Sequence, residues 1–131
     1  MNNQYSNSSE VNLNYIFLAN DMGKQKEYAK AIVDLATIFK KLKGNETAIE
    51  AIEKALDVEI YDEDERGKFK PYAYLNLAEI YICLNKYEDA LNSVNEIDKY
   101  KKYYNEEDYR DFEILANVIK IRCYINIDKK K

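Results

Sequence analysis

The side chains that most often perform chemistry in proteins are scarce in this sequence. It has no histidine, which excludes a Ser-His-Asp triad, a Cys-His pair and a histidine-ligated metal. Its two cysteines, Cys83 and Cys123, are far apart and form no Cys-x-x-Cys pair, so a zinc or redox motif is not supported. Each lies in an apolar helical run, which predicts a buried, reduced thiol. We therefore predict a protein that is not an enzyme and has no catalytic residue, metal or cofactor.

One acidic stretch resembles the start of a calcium-binding loop. Asp62, Asp64 and Gly67 have the spacing of the first positions of an EF-hand. Arg66, however, occupies a ligand position, and Ala73 stands where the bidentate glutamate is required. The sequence therefore predicts a solvated, charged connection over residues 61–70 and no calcium site.

Composition and charge favour a globular chain that binds neither nucleic acid nor membrane. Hydrophobic residues make up 47% of the 131 residues and charged residues 34%, a balance typical of a folded domain. The formal net charge of −4 argues against nucleic acid, because its binders usually present a basic face. No signal peptide or membrane span is recognisable, and we predict a reducing, cytoplasmic location.

Hydrophobic periodicity predicts an all-α fold of about six helices. The expected helices cover residues 10–22, 27–43, 46–58, 71–84, 87–99 and 106–128. Pro71 suits the first position of the fourth helix, where its missing N–H costs nothing. The predicted organisation is a disordered tail at 1–9, one helical domain at 10–128 and a frayed basic tail at 129–131.

Two helix pairs share one spacing of packing positions. Ile32-x-x-Leu35-Ala36-x-x-Phe39 is followed by Ala48-x-x-x-Ile52, and Tyr74-x-x-Leu77-Ala78-x-x-Tyr81 is followed by Ala90-x-x-x-Val94. This pattern resembles the tetratricopeptide repeat, whose small residues let paired helices approach closely. The resemblance implies antiparallel helix pairs stacked as a short right-handed solenoid.

The same resemblance implies a binding face. In tetratricopeptide proteins the first helices of successive pairs line a concave surface that binds peptides or helices. Transferred by position, the predicted groove residues are Asp34, Thr37, Lys41, Tyr72, Leu75, Asn76, Glu79 and Ile82. Lys30, Val33, Lys40 and Cys83 are expected on the same face.

The final helix is apolar on more than one face. Phe112, Leu115, Ala116 and Ile119 begin a third copy of the packing pattern. Outside that pattern, Ile121, Tyr124 and Ile125 are left over, and an exposed apolar patch of this kind usually marks an interface. We predict an interface there, with a homodimer through this C-terminal helix as one form of it.

Three functions stay open at this point. The first is a non-catalytic module that binds a protein or a peptide through the concave face. The second is a fragment or relative of a bacterial peptide-sensing regulator built from such repeats. The third is a self-assembling structural or chaperone-like helical repeat protein.

Overall fold

The computed structural model describes residues 24–42 and 44–129, and this part of the chain is all-α. Its helices are α1 (Gln25–Leu42), α2 (Asn45–Leu56), α3 (Glu63–Cys83), α4 (Tyr87–Asn95) and α5 (Glu106–Asp128), with a 3₁₀ helix at Ile97–Tyr103. The helix predicted at 10–22 and the tail at 1–9 lie outside the described residues. Five of the predicted helices are therefore confirmed, and only the start of α3 and the end of α4 differ from the prediction by more than two residues.

The helices pack as successive pairs. Helix α1 packs on α2 and α3 on α4, and each pair then contacts the following helix through α2–α3 and α4–α5. The first helices of the pairs also touch in order, α1 with α3 and α3 with α5. Contacts between sequence neighbours, with each pair stacked on the next, are the arrangement of a helical solenoid.

Two hydrophobic clusters fill the space between these helices, and α3 contributes to both. The first lies between α1, α2 and α3, and its larger buried members include Val33, Ile52, Phe69 and Leu77. The second lies between α3, α4 and α5, and includes Leu75, Ile82, Val94, Ile97 and Cys123. Helix α3 is thus buried on two opposite sides, as expected for the central helix of a stack.

The alanines chosen from the repeated spacing lie in the two hydrophobic clusters between the helices. Ala36, Ala48, Ala78 and Ala90 are all completely buried. A methyl side chain at these positions leaves room for the facing helix, and a larger one would push the helices apart.

Helix α3 begins at Glu63, so the prediction of a solvated connection up to Lys70 was wrong. Asp62 caps the helix, since its Oδ1 accepts a hydrogen bond from the Glu65 N–H at 2.9 Å. Three acidic residues follow in the first turn, where the helix dipole favours negative charge. Pro71 therefore lies inside the helix rather than at its start.

The connection between α4 and α5 is also more ordered than predicted. Helix α4 ends at Asn95 instead of continuing to Lys99, and the chain tightens into the 3₁₀ helix. Ile97, the first residue of this 3₁₀ helix, is completely buried. Tyr103 donates a hydrogen bond to Glu63 Oε1 at 2.7 Å, and Tyr104 donates one to the Lys68 carbonyl. These contacts tie the connection to the first turns of α3.

Gly67 is required for a close approach in this region. A Cβ built on Gly67 would lie 2.1 Å from Cδ2 and 2.2 Å from Cγ of the Tyr103 ring. Gly67→Ala should therefore displace Tyr103 and lose its hydrogen bond to Glu63. This loss opposes the gain in helix propensity of about 1 kcal/mol. We expect a net decrease of about 1 kcal/mol in the free energy of unfolding, measured by denaturant titration.

A double-mutant cycle separates the two contributions. In a Tyr103→Ala background the clash is gone, and Gly67→Ala should stabilise the helix by roughly 0.5–1 kcal/mol. An equal effect of Gly67→Ala in both backgrounds would show that the Tyr103 ring does not pack on Gly67.

Candidate functional site

A groove opens along the side of the stack formed by α1, α3 and α5. Its volume is about 400 Å³. It is lined by Lys40, Glu79, Ile82, Cys83, Leu115, Val118, Ile119 and Arg122. The four aliphatic side chains form an apolar floor, and Lys40, Glu79 and Arg122 place both signs of charge around it. Such a surface offers apolar contact together with a few polar groups that can orient a ligand.

The residues predicted for the concave face are distributed unevenly around this groove. Glu79 and Ile82 line it, as do Lys40 and Cys83. Thr37 and Lys41 are exposed and Asn76 is half-buried, but none of these three belongs to its lining. The Asn76 side chain instead donates a hydrogen bond to the Tyr72 carbonyl at 2.8 Å within its own helix.

Three apolar residues expected on an open face are buried instead. Leu75 is 8% exposed and Ile82 is 7% exposed, because both pack in the second cluster against α4 and α5. Val33 is buried in the first cluster. The repeated spacing predicts one buried face on each helix, whereas α3 has two. Ile82 still reaches the groove at its edge.

Asp34 and Tyr72 contact each other and join α1 to α3. The Tyr72 hydroxyl donates a hydrogen bond to Asp34 Oδ1, and Lys30 Nζ lies 5.3 Å from the centre of the same ring. Partial burial, together with the hydrogen bond to Asp34 and that carboxylate's negative charge, raises the pKa of Tyr72 to about 12. Both groups therefore have a partner within the protein, and we assign them to holding adjacent first helices together.

The two cysteines differ in environment. Cys123 is buried as predicted, and burial raises the pKa of its thiol. Cys83 is exposed, contrary to the prediction, and its Sγ accepts a hydrogen bond from Lys40 Nζ at 3.2 Å. That contact links α1 to α3 at the rim of the groove.

Helix α5 supplies half of the groove, and sequence reasoning missed this contribution. Leu115 was expected to pack inward, yet it is an exposed side chain of the groove, as is Val118. The buried face of α5 is formed instead by Tyr109, Ala116, Ile119 and Cys123. On a helical wheel of residues 106–128, Leu115 and Val118 lie to one side of these buried residues, so the signal was available in the sequence.

A second, more apolar groove lies between α1 and α2. Its volume is about 340 Å³. Its lining is Tyr28, Ile32, Leu35, Phe39, Thr47, Glu50, Ala51 and Lys54, from α1 and α2. Ile32, Leu35 and Phe39 are the predicted packing positions of the first pair, and they are only half-buried. None of the residues predicted for binding lies in this lining.

The described part of the chain shows neither a metal centre nor a membrane span. Across residues 24–42 and 44–129, no three His, Cys, Asp or Glu side chains are grouped so that they could hold a metal ion. No helix in these two ranges is long and apolar enough to cross a bilayer.

The three residues of α5 that were predicted to form an interface are exposed. Ile121 is 60% exposed, Tyr124 52% and Ile125 51%. They lie on the outside of the final helix, away from its packing against α3 and α4.

Comparison with known proteins gives one family. The family model of anaphase-promoting complex subunit 5 matches residues 1–67 and, in a second overlapping match, residues 56–108. No curated protein and no solved structure matches the chain.

Proposed function

The chain belongs to the family of anaphase-promoting complex subunit 5, and from this premise we propose that it is a non-catalytic helical scaffold that binds another protein within an assembly. The observation that carries this proposal is the groove between α1, α3 and α5. It combines an apolar floor with charged groups on three helices. We further propose that the stack is of the tetratricopeptide type, that the groove holds a peptide or helical segment, and that the protein works in the cytoplasm.

The lining of the groove specifies the chemistry of the bound segment. Leu115, Val118 and Ile82 require apolar side chains on the face that enters the groove, since burial of apolar surface is the main source of affinity. Glu79 on one wall and Arg122 on the other favour a segment that carries both signs of charge around its apolar residues. Such charges set register and orientation more than affinity.

The experiment begins with peptides selected against the whole protein from a displayed random library. Leu115→Lys places a charge on the apolar floor, and we expect it to weaken binding of the selected peptides about tenfold or more. Isothermal titration calorimetry measures the change in dissociation constant.

Ile38→Lys is the matched control. Ile38 is also a large exposed apolar residue, but it lies on α1 outside the groove lining. This substitution should change the dissociation constant by less than about twofold, in line with the small effects of substitutions away from a binding centre. If the two substitutions had equal effects, or if the peptides bound the Leu115→Lys variant as tightly as the original protein, the binding site would not be this groove.

A further inference from the structure

One side of α1 is apolar and open. It carries four apolar residues at steps of four, three and four, namely Ala31, Leu35, Ile38 and Leu42. We call these four residues the open face of α1. Ile38 is 49% exposed and Leu42 is 63% exposed, while the other two are half-buried. In the part of the chain that the structure describes, α1 contacts only α2 and α3, and these contacts leave Ile38 and Leu42 accessible.

The matching face of α3 is covered. Ala36 of the first helix pair matches Ala78 of the second, and both are completely buried, so the two pairs correspond at an interval of 42 residues. At this interval the residues that match the open face are Ala73, Leu77, Ile80 and Leu84. Leu77 is 5% exposed and Ile80 is 3% exposed, and all four residues lie in or against the first cluster. The same apolar face is therefore buried in the second pair and open in the first.

The α3 face is covered by the helix pair that precedes it in the chain. Helix α2, which comes directly before α3, contacts it and contributes Ile49 and Ile52 to the same cluster. Lys70 on α3 also donates a hydrogen bond from its Nζ to the Leu56 carbonyl at the end of α2, at 2.6 Å. By the same arrangement, a helix that directly precedes α1 would cover the open face.

Residues 10–22 have this position relative to α1. They lie outside the described residues, and their apolar side chains recur at steps of four, three and four residues, at Val11, Tyr15, Leu18 and Met22. This spacing predicts one apolar helix face. Only residues 23 and 24 separate the segment from α1, and a link this short joins antiparallel helices. As a helix, the segment would be about 20 Å long, enough for the roughly 16 Å between Ala31 and Leu42 along α1.

We propose that residues 10–22 form a helix that packs antiparallel on the open face of α1, in the place that α2 has on α3. Leu35 belongs both to this face and to the lining of the groove between α1 and α2. That second groove is then part of a contact with the chain's own segment, and not a second ligand site.

The proposal is independent of ligand binding in the groove between α1, α3 and α5. Lys40 is the α1 residue of that groove, and two helical steps of about 100° place it on nearly the opposite side of α1 from Ile38. A failure of either proposal therefore leaves the other standing.

The first test is hydrogen exchange of the whole protein, followed by mass spectrometry. The amides of residues 10–22 should exchange at least tenfold more slowly than those of an unstructured chain with the same sequence, because a docked helix opens only rarely. Ile38→Lys places a charge in the contact and should remove this protection, while α3 and α5 keep theirs.

Ile114→Lys is the matched control for that experiment. Ile114 is 53% exposed and lies on α5, so the same change there should leave the exchange of residues 10–22 unaltered. Unstructured exchange rates of this segment in the original protein would overturn the proposal. Protection that survives Ile38→Lys, or that Ile114→Lys removes equally, would also overturn it.

A second test determines the direction of the helix without placing a charge in the contact. In a Cys83→Ser background, Val11→Cys is combined with Ile38→Cys under mild oxidation. Antiparallel packing across the short link brings these two positions together, so a disulfide should form within one chain, for which the Cα atoms must approach within about 7 Å.

Leu18→Cys combined with Ile38→Cys provides the comparison. Leu18 is seven residues farther along the segment, about 10 Å in a helix, so this pair should form few disulfides. Disulfides only between different chains would show that a second copy covers the face, and would refute the proposal. Faster oxidation of the Leu18→Cys pair, or no disulfide in either variant, would refute it as well.

Discussion

Phe69→Ala should lower the free energy of unfolding by about 3–5 kcal/mol, the usual range for removing a buried phenylalanine side chain. Phe69 is 1% exposed and lies in the first cluster, among side chains from α1, α2 and α3. Its removal leaves a cavity at the point where the second helix pair stacks on the first. Chemical denaturation followed by circular dichroism measures the loss.

A matched change tests whether the effect comes from burial. Tyr61 lies eight residues earlier and is 75% exposed, so Tyr61→Ala removes an aromatic ring of similar size from the surface. We expect it to alter the free energy of unfolding by less than about 0.5 kcal/mol. If Phe69→Ala cost no more than Tyr61→Ala, residues 63–70 would be the solvated connection that composition alone predicts, and α3 would begin near Pro71.

The start of α3 is where prediction from local sequence failed. Residues 61–70 are dense in charge, and Pro71 follows them, so a loop that ends at a helix start is the natural prediction from local chemistry. Phe69, Ala73, Leu77 and Ile80 nevertheless continue one apolar face through the proline. Burial of that face stabilises the extra turns of helix more than an interior proline disfavours them. Tertiary packing overrides propensity here.

Other features followed directly from residue type and spacing. A small side chain repeated at matching positions of two helix pairs predicts close contact, and Ala36, Ala48, Ala78 and Ala90 are all completely buried. The ends of α1 and α2 differ from the prediction by one or two residues, as is usual for helix termini. The all-α stack is therefore the part of the structure that the sequence specifies most strongly.

The groove was harder to predict because it depends on how three helices are rotated relative to one another. Periodicity identifies an apolar face but does not distinguish one broad face from two opposite faces. Helix α3 has two, so Leu75 and Ile82 are buried rather than open. Helix α5 also has two, and Leu115 and Val118 lie in the groove as a result. Glu79, which follows the completely buried Ala78, is exposed and lines the groove.

Ala78→Leu is expected to have the other large effect. Ala78 is completely buried where α3 meets α4 and α5, and its neighbours in the second cluster include Ala90, Val94 and Cys123. A leucine adds three carbon atoms at a contact between helices that leaves no space for them. The helices must separate or side chains must leave their preferred rotamers, which costs about 1–3 kcal/mol and often more. We expect a lower melting temperature, measured at the same protein concentration as the original because self-association would also stabilise the fold.

Asn92→Leu provides the comparison for Ala78→Leu. Asn92 is an exposed residue of α4, the helix that packs against Ala78, so the same side chain is added there without entering the cluster. The free energy of unfolding should change by no more than about 0.5 kcal/mol. Ala78→Gly tests the same contact from the opposite direction, since it lowers helix propensity by about 1 kcal/mol without crowding the neighbouring helices. If Ala78→Leu were as mild as Asn92→Leu, α3 would not approach α4 at residue 78. The alignment of the two helix pairs, on which the positions of the groove residues depend, would then be wrong.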